Sequence, residues 1–432
     1  MKSFKKSTIK LTASLNAVIA QFHNLPNNER VKNIVKRVGS LNDEEVANSY
    51  KNLMKEFGHR HKNFDELLMD NFNRGIEING PVSNYSKEKK LLLGAYLTKE
   101  YSFQAAALFN PSIVPHPDQS NLNKGEQRFV ISLRATGEGH ISSIIFKTGI
   151  IDKDGSVLLD ELPGYFSVLK KSEEQPMQSL ETDTNRELID FQDNNYDLSS
   201  PSNLSLSEKV IFPSAKNERM GMEDLRLVKF TDAGISCYYG TYTAYDGKNI
   251  RPMLLETNDF NSFRVRSLYG NAVNDKGMAL FPEKVNGKFV KCSRQGSELL
   301  SIMYSDNLYQ WEDYHLLMEP QFDWEFVQIG NCGSPIKTEK GWLLLTHGVG
   351  AMRKYVISAI LLDLNDPSKI IGRLQQPMIV AEGEEREGYV PNVVYTCGLL
   401  RHGKFVIIPY AISDTATVFA SIELDEILNE MK

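Results

Sequence analysis

The sequence predicts a mainly β chain of radial, propeller-like architecture behind a helical N-terminal segment. Three observations carry that expectation. Up to about residue 105, apolar residues recur at helical spacing. Beyond it, short runs of β-branched and aromatic residues alternate with turn dipeptides to the end of the chain. Long helical patterns are scarce in that second part, as expected where many short strands repeat around an axis. No exact internal repeat appears, so pattern alone leaves the number of sheets open.

The helical part, residues 1–104, rests on local signals. Residues 1–22 are basic, and Ser14, Asn16 and Gln21 interrupt their only apolar stretch. They read as an ordinary or frayed helix rather than a signal peptide. Asn42-Asp43-Glu44-Glu45 opens an acidic first turn, followed by Val46, Tyr50, Leu53, Met54 and Phe57 on one face. Residues 64–72 repeat the pattern with Leu67, Leu68 and Met69. Ser86 is placed to cap a run through Leu91, Leu92, Leu93 and Tyr96.

In the β part, residues 105–432, strands are expected at 129–133, 140–151, 236–245, 252–256, 289–292, 300–304, 342–347, 355–363 and 405–411. Asp154-Gly155, Asp246-Gly247, Asn286-Gly287, Lys340-Gly341 and His402-Gly403 mark turns. Residues 170–209 are polar and read as an inserted loop. Residues 424–432 read as a short closing helix.

Composition excludes several classes. Hydrophobic content of 41% and charged content of 24% are those of a soluble globular protein. A net charge of −6 gives no electrostatic case for nucleic acid or an anionic membrane. No apolar run approaches the roughly 20 residues of a membrane helix. Cys237, Cys292, Cys332 and Cys397 lie far apart, without zinc or redox spacing; they read as buried free thiols in a reducing cytoplasm, with a disulfide pair as the alternative. His59 and His61 would face apart on a helix, and the single pair Glu138 and His140 makes no ligand set, so no metal is expected.

The densest chemistry lies in Gly221-Met222-Glu223-Asp224-Leu225-Arg226. Two carboxylates precede a guanidinium at the start of an expected strand. Taken alone, the group is a structural ion pair, or else an acid, a base or a sugar clamp.

Further motifs follow in order: Phe109-Asn110-Pro111, Leu133-Arg134-Ala135, Ala279-Leu280-Phe281-Pro282-Glu283-Lys284, Gly333-Ser334-Pro335-Ile336-Lys337-Thr338, His347-Gly348-Val349, Leu361-Leu362-Asp363-Leu364 and Val390-Pro391-Asn392-Val393-Val394. With Gly221 to Arg226, this ordered set resembles glycoside hydrolase family 130, the β-mannoside phosphorylases and β-mannosidases, over about residues 105–420. The resemblance implies a five-bladed β-propeller with its site in the central depression. The helical segment would be the extension of a longer branch. It implies Asp224 as general acid, with Leu225 where the family usually has proline. It implies Asn110, Arg134, Glu223, Arg226 and Asp414 as sugar contacts. Lys276, Arg294 and His347 would bind phosphate or orient water, and Gln328 stands where the phosphorylases usually carry a lysine.

An inverting hydrolase needs a second carboxylate to activate water, whereas a phosphorylase needs an anion pocket instead. The loss of one cation at Gln328 tilts the expectation towards hydrolysis, with Arg353 and Lys354 as compensating cations for the phosphorylase alternative. Glu325 and Glu387 lead the base candidates, ahead of Glu384 and Glu385. The odd offset from Glu325 to Gln328 would put the two on opposite faces of a regular strand. Plainer readings stand beside these: His347 packed after Trp342 to Leu345, Lys276 and Arg294 as surface charges, and Trp311, Trp324 and Tyr389 as core residues, although aromatics can also stack on sugars.

The expected function is therefore an inverting β-mannosidase acting on β-linked manno-oligosaccharides. The β-1,2 preference comes from resemblance to the long branch alone. A β-mannoside phosphorylase, with phosphate as co-substrate and mannose 1-phosphate as product, is the alternative. A non-catalytic sugar-binding propeller is the reading from another class. No metal or organic cofactor, nucleic acid or membrane is implied, and the N-terminal helices are candidates for a homo-oligomer contact.

Overall fold

A computed structural model describes residues 4–161, 163–172, 194–200 and 204–432. Five antiparallel meanders follow one another along the chain. The first sheet contains Ala107–Pro115, Gln127–Thr136, Ser142–Ile151 and Val157–Leu159. The second contains Gly221–Asp232, Ile235–Tyr245, Ile250–Thr257 and Ser262–Ser267. The third contains Ala279–Leu280, Phe289–Gln295, Leu299–Ser305 and His315–Met318. In the fourth, Gln328–Asn331 and Ile336–Lys337 precede Trp342–Val349, Tyr355–Leu362 and Ile370–Arg373. In the fifth, Val394–Tyr395 and Leu400–His402 precede Phe405–Ile412 and Ala416–Glu423.

Each sheet packs beside the next, and Phe405–Ile412 of the fifth packs against Ala107–Pro115 of the first, so the sheets close into a ring. Strands buried on both faces between neighbouring sheets need apolar side chains throughout. That is why Phe405–Ile412, and the first half of Trp342–Val349 up to Leu345, read as continuous apolar runs rather than as alternating ones.

The N-terminal residues differ from the helix expected of them. Lys5–Leu11 is a strand that pairs antiparallel with Ala416–Glu423, and Val18–Phe22 pairs with Thr98–Ser102. The first of these adds the outer strand of the fifth sheet, so the two ends of the chain close the ring together. The polar tract at 170–209 lies largely outside the described residues. Its described ends are strands: Lys170–Lys171 pairs with Tyr196–Ser199, which pairs in turn with Ser262–Ser267.

The helices begin where their caps predict. Asn42 and Glu45 form a reciprocal capping box for Asp43–Phe57, and Ser86 Oγ accepts from the Lys89 amide ahead of Lys87–Tyr96. With Asn28–Gly39 and Phe64–Asn79 they bury Val31, Val35, Phe72, Leu92 and Leu93 in a core of their own. The Arg60 guanidinium and His61 meet Glu100 at 2.7 and 2.8 Å, which pins the turn after Asp43–Phe57 to the strand entering the first sheet. A closing helix spans Leu424–Glu430. Among the described residues, no helix is long and apolar enough to cross a membrane.

Candidate active site

Asp224 owes its position to a break in strand register. Gly221–Asp232 pairs regularly with Ile235–Tyr245 except between Glu223 and Arg226, where a bulge interrupts the ladder. Asp224 has φ 55°, a left-handed conformation uncommon for a residue with a side chain. In a regular strand Glu223 and Asp224 would point to opposite faces. The bulge re-aims them, and both carboxylates reach one guanidinium: Arg134 donates to Glu223 Oε1 at 2.9 Å and to Asp224 Oδ1 at 3.3 Å.

The same device recurs at Asn110. Register breaks between Phe109 and Ser112, Asn110 has φ 47°, and its Nδ2 donates to Asp224 Oδ1 at 2.7 Å. Arg134 itself is braced by Ser142 Oγ at 2.9 Å and by the Phe109 ring, 5.0 Å away. Gly221 makes this approach possible. It pairs with Ser142, and a Cβ there, at φ 144°, would fall 2.9 Å from the Ser142 amide nitrogen.

On the other side of Glu223, Lys276 Nζ donates to Oε2 at 2.6 Å. Arg226 donates to the Asp224 carbonyl at 2.9 Å and to the Tyr395 hydroxyl at 2.5 Å, tying the second sheet to the fifth. Beside them, Arg294 donates to Asp275 Oδ1 at 3.2 Å, and Ser297 donates to Oδ2 at 2.8 Å. Gln328 satisfies its surroundings with its amide oxygen turned towards Arg294, 2.5 Å away, and His347 Nε2, 3.1 Å away, while its nitrogen donates to the Ser297 carbonyl at 3.2 Å. The His347 ring lies across Gly330, where a Cβ would fall 2.4 Å from it. The ring also stacks on Tyr355 at 5.9 Å.

The charges shape the acidities. Burial pushes the Asp224 carboxyl up, but Arg134, Arg226 and Lys276, with the Asn110 hydrogen bond, outweigh it and hold the group below the usual aspartate range. Asp414 goes the other way. Burial and the neighbouring Asp224 charge raise it to about 6, against the pull of Arg134 and Arg353. His347 is pushed down to about 3 by burial and by Arg294 and Arg226, so it is neutral at physiological pH. Asp224, Glu223 and Arg134 keep side-chain exposures of 15, 11 and 19%, enough to meet a ligand without being solvated freely.

The structure thus brings together Asn110, Arg134, Glu223, Asp224, Arg226 and Lys276, and links Arg294, Gln328 and His347 beside them. Asp414 and Arg353 join through their charges. The two sequence-derived base candidates, Glu325 and Glu387, are not joined to this cluster by a hydrogen bond or ion pair among the described residues. Glu325 is fully buried, its carboxylate takes the Arg373 guanidinium, and it also accepts from the Gln321 amide at 2.7 Å. The chain turns sharply between Phe322 and Gln328, so nearness in sequence does not become a shared face. Glu387 is exposed just after the short helical turn Gly383–Arg386. Sequence motifs do not single out Asp275 and Tyr395. Asp275 adjoins Lys276 and Tyr395 follows the Val390 to Val394 motif, but only the fold brings them to Arg294 and Arg226.

A family model described as beta-1,4-mannooligosaccharide phosphorylase, that of glycoside hydrolase family 130, matches residues 183–432, more than half of the chain. The chain belongs to glycoside hydrolase family 130. A family member, the 1,2-beta-oligomannan phosphorylase of Thermoanaerobacter sp. (strain X514), is 34% identical over 229 residues, which are 52% of this chain and 75% of the relative. Among solved structures, the beta-1,2-mannobiose phosphorylase of Listeria innocua in complex with beta-1,2-mannobiose aligns with TM-score 0.53 and 23% identity, covering 75% of this chain and 92% of that one. A family 130 structure linked to glycoside hydrolases that target beta-1,2 mannosidic linkages in Candida mannan aligns with TM-score 0.52 and 19% identity, covering 76% and 87%. These two likenesses speak to the fold: mainly β sheets behind N-terminal helices. Family 130 comprises β-mannoside phosphorylases and β-1,2-mannosidases, and the chain is an enzyme of that family.

Proposed function

We propose that this chain is an inverting phosphorylase of β-1,2-linked mannosides, built on a five-bladed β-propeller whose central site is the Asp224 cluster. The ring of five sheets supports the propeller reading. One observation carries the choice of phosphorolysis. The group beside Asp224 is rich in donors and cations (Arg226, Lys276, Arg294 and His347), whereas Glu325 is held by Arg373 in the core and Glu387 lies exposed. A phosphate nucleophile needs such donors and no protein base. The names of the relatives point the same way.

In this reading Arg134, Glu223 and Asn110 hold the mannose whose bond is cut. A phosphate oxygen attacks the anomeric carbon from the face opposite the glycosidic oxygen. That C–O bond breaks, and Asp224 gives its proton to the departing oxygen. In the unliganded site the surrounding cations keep Asp224 ionised. A bound phosphate dianion offsets the pull of Arg226 and Lys276 and raises the carboxyl towards the protonated form that an acid requires. The nucleophile thus helps to charge the acid.

A second reading has its own observation. Asp275 places a carboxylate against Arg294 and Ser297, inside the cluster. Held ionised there, it would activate water for an inverting hydrolysis. Incubation with β-1,2-mannobiose, with and without phosphate, separates the two. Mannose 1-phosphate formed only with phosphate supports the phosphorylase. Free mannose released without phosphate, and lost in Asp275→Asn, replaces it with the hydrolase.

A further inference from the structure

The proton donor and the leaving sugar must lie on the same side of the broken bond, because the proton goes to the departing oxygen. The ring surfaces nearest that side are therefore the ones a leaving saccharide meets. Two such rings stand exposed at this end of the sheet ring, and they touch each other. Tyr389 is 65% exposed, and its ring stacks on that of His140 with centroids 5.9 Å apart and planes 28° apart. Each is tied by backbone to a residue of the site. His140 lies in the turn Glu138–His140 between Gln127–Thr136, which carries Arg134, and Ser142–Ile151, whose Ser142 braces Arg134. The Tyr389 amide donates to Thr415 Oγ1 at 3.0 Å, one residue beyond Asp414, and the Val390 amide donates to the Ser413 carbonyl at 3.0 Å. His140 is held at φ 60°, and Ser413 and Asp414 at 47° and 50°, so the pair stands on constrained backbone rather than on a loose loop.

An exposed aromatic pair has no packing reason to stay bare to water. A large ring surface with a polar edge suits the apolar face and hydroxyl rim of a pyranose. Phe326 and Val327, which directly precede Gln328, are exposed as well, but they adjoin the proposed anion pocket.

We infer that the Tyr389–His140 pair is the stacking platform for the leaving-group saccharide, the sugar that Asp224 protonates. This rests on the proposed β-mannoside-cleaving function and assigns its leaving-group subsite. The platform favours a leaving group that is itself a sugar over one without a ring.

The test compares two substrates in the full chain with phosphate present: β-1,2-mannobiose, which has a leaving sugar, and β-mannosyl fluoride, which has none. Tyr389→Ala lowers the ratio of kcat/KM for the disaccharide to that for the fluoride by roughly three- to tenfold, and Tyr389→Phe, which keeps the ring, restores it. His140→Ala lowers the same ratio by a smaller factor. An unchanged ratio in Tyr389→Ala overturns the platform while leaving the enzyme's function standing. A wild-type chain that turns over neither substrate overturns the proposed function and the platform with it.

Discussion

Lys291 offers a stringent test of the energetics of this fold. It lies in Phe289–Gln295, opposite Met303 on one neighbouring strand and Leu280 on the other, and is fully buried. Its Nζ has no hydrogen-bond partner among the described residues and sits 4.4 Å from the centre of the buried Trp311 ring. Burial pushes the amine from 10.5 down to about 7. At about 1.36 kcal/mol per pH unit, that difference corresponds to about 5 kcal/mol against the protonated, folded chain. The face of Trp311 offers a cation only about 2 kcal/mol, so desolvation wins, and with the folded amine at about 7 roughly 4 kcal/mol of destabilisation is present at pH 7. The folded amine is neutral where the unfolded one still binds a proton. The destabilisation is therefore complete below about pH 7 and fades as pH rises towards 10.5. Lys291→Met keeps the volume and removes the charge. Urea denaturation should find it roughly 4 kcal/mol more stable than wild type at pH 7, with the gap down to about 1.4 kcal/mol at pH 9.5, one unit below the lysine's ordinary 10.5. Equal stabilities at pH 7, or a gap that does not shrink with pH, would refute a desolvated lysine in this core.

Four further outcomes follow from the site and its surroundings. Asp224→Asn should lower kcat/KM by about 10²–10⁴ while leaving the denaturation midpoint near wild type, measured on β-1,2-mannobiose with phosphate. Arg294→Met removes a charged donor and should raise the KM for phosphate about 10- to 100-fold, read from initial rates at varied phosphate. Glu325→Ala leaves the buried Arg373 guanidinium without its carboxylate and should cost about 3–5 kcal/mol in urea denaturation, whereas a water-activating role would instead show as lost turnover in Glu325→Gln with stability kept. Asp414, raised to about 6, binds its proton more tightly folded than unfolded, so its stabilising contribution is full below about pH 4 and lost as pH rises through 6. Asp414→Asn should therefore flatten the stability profile between pH 4.5 and 7, and an unchanged profile would contradict the raised carboxyl.

Features set by neighbours along the chain are legible in the residues themselves. The capping residues Asn42, Glu45 and Ser86 act within one helical turn, so the helices they start can be read directly. Most of the strands are legible too, because their buried faces demand apolar runs between turn residues. Lys5–Leu11 is not. A short basic alternation has no preference of its own strong enough to declare a strand, and it becomes one by pairing with Ala416–Glu423 at the far end of the chain. Glu325 misleads for a related reason: the turn ahead of Gln328 carries its carboxylate to Arg373.

Residue order alone puts Glu223, Asp224 and Arg226 together on one strand, and places the cations Lys276 and Arg294 and the imidazole of His347 further along. Which of them meet was decided by tertiary structure. Alternation along a strand would have sent Glu223 and Asp224 to opposite faces, and only a break in cross-strand register turns both onto Arg134. Register is a relation between strands, set by the packing of whole sheets around the ring, and no single stretch of residues contains it. The same packing brings Asn110, Tyr395 and Asp414 from the first and last sheets to one aspartate, and sets that aspartate's acidity by the charges it gathers there.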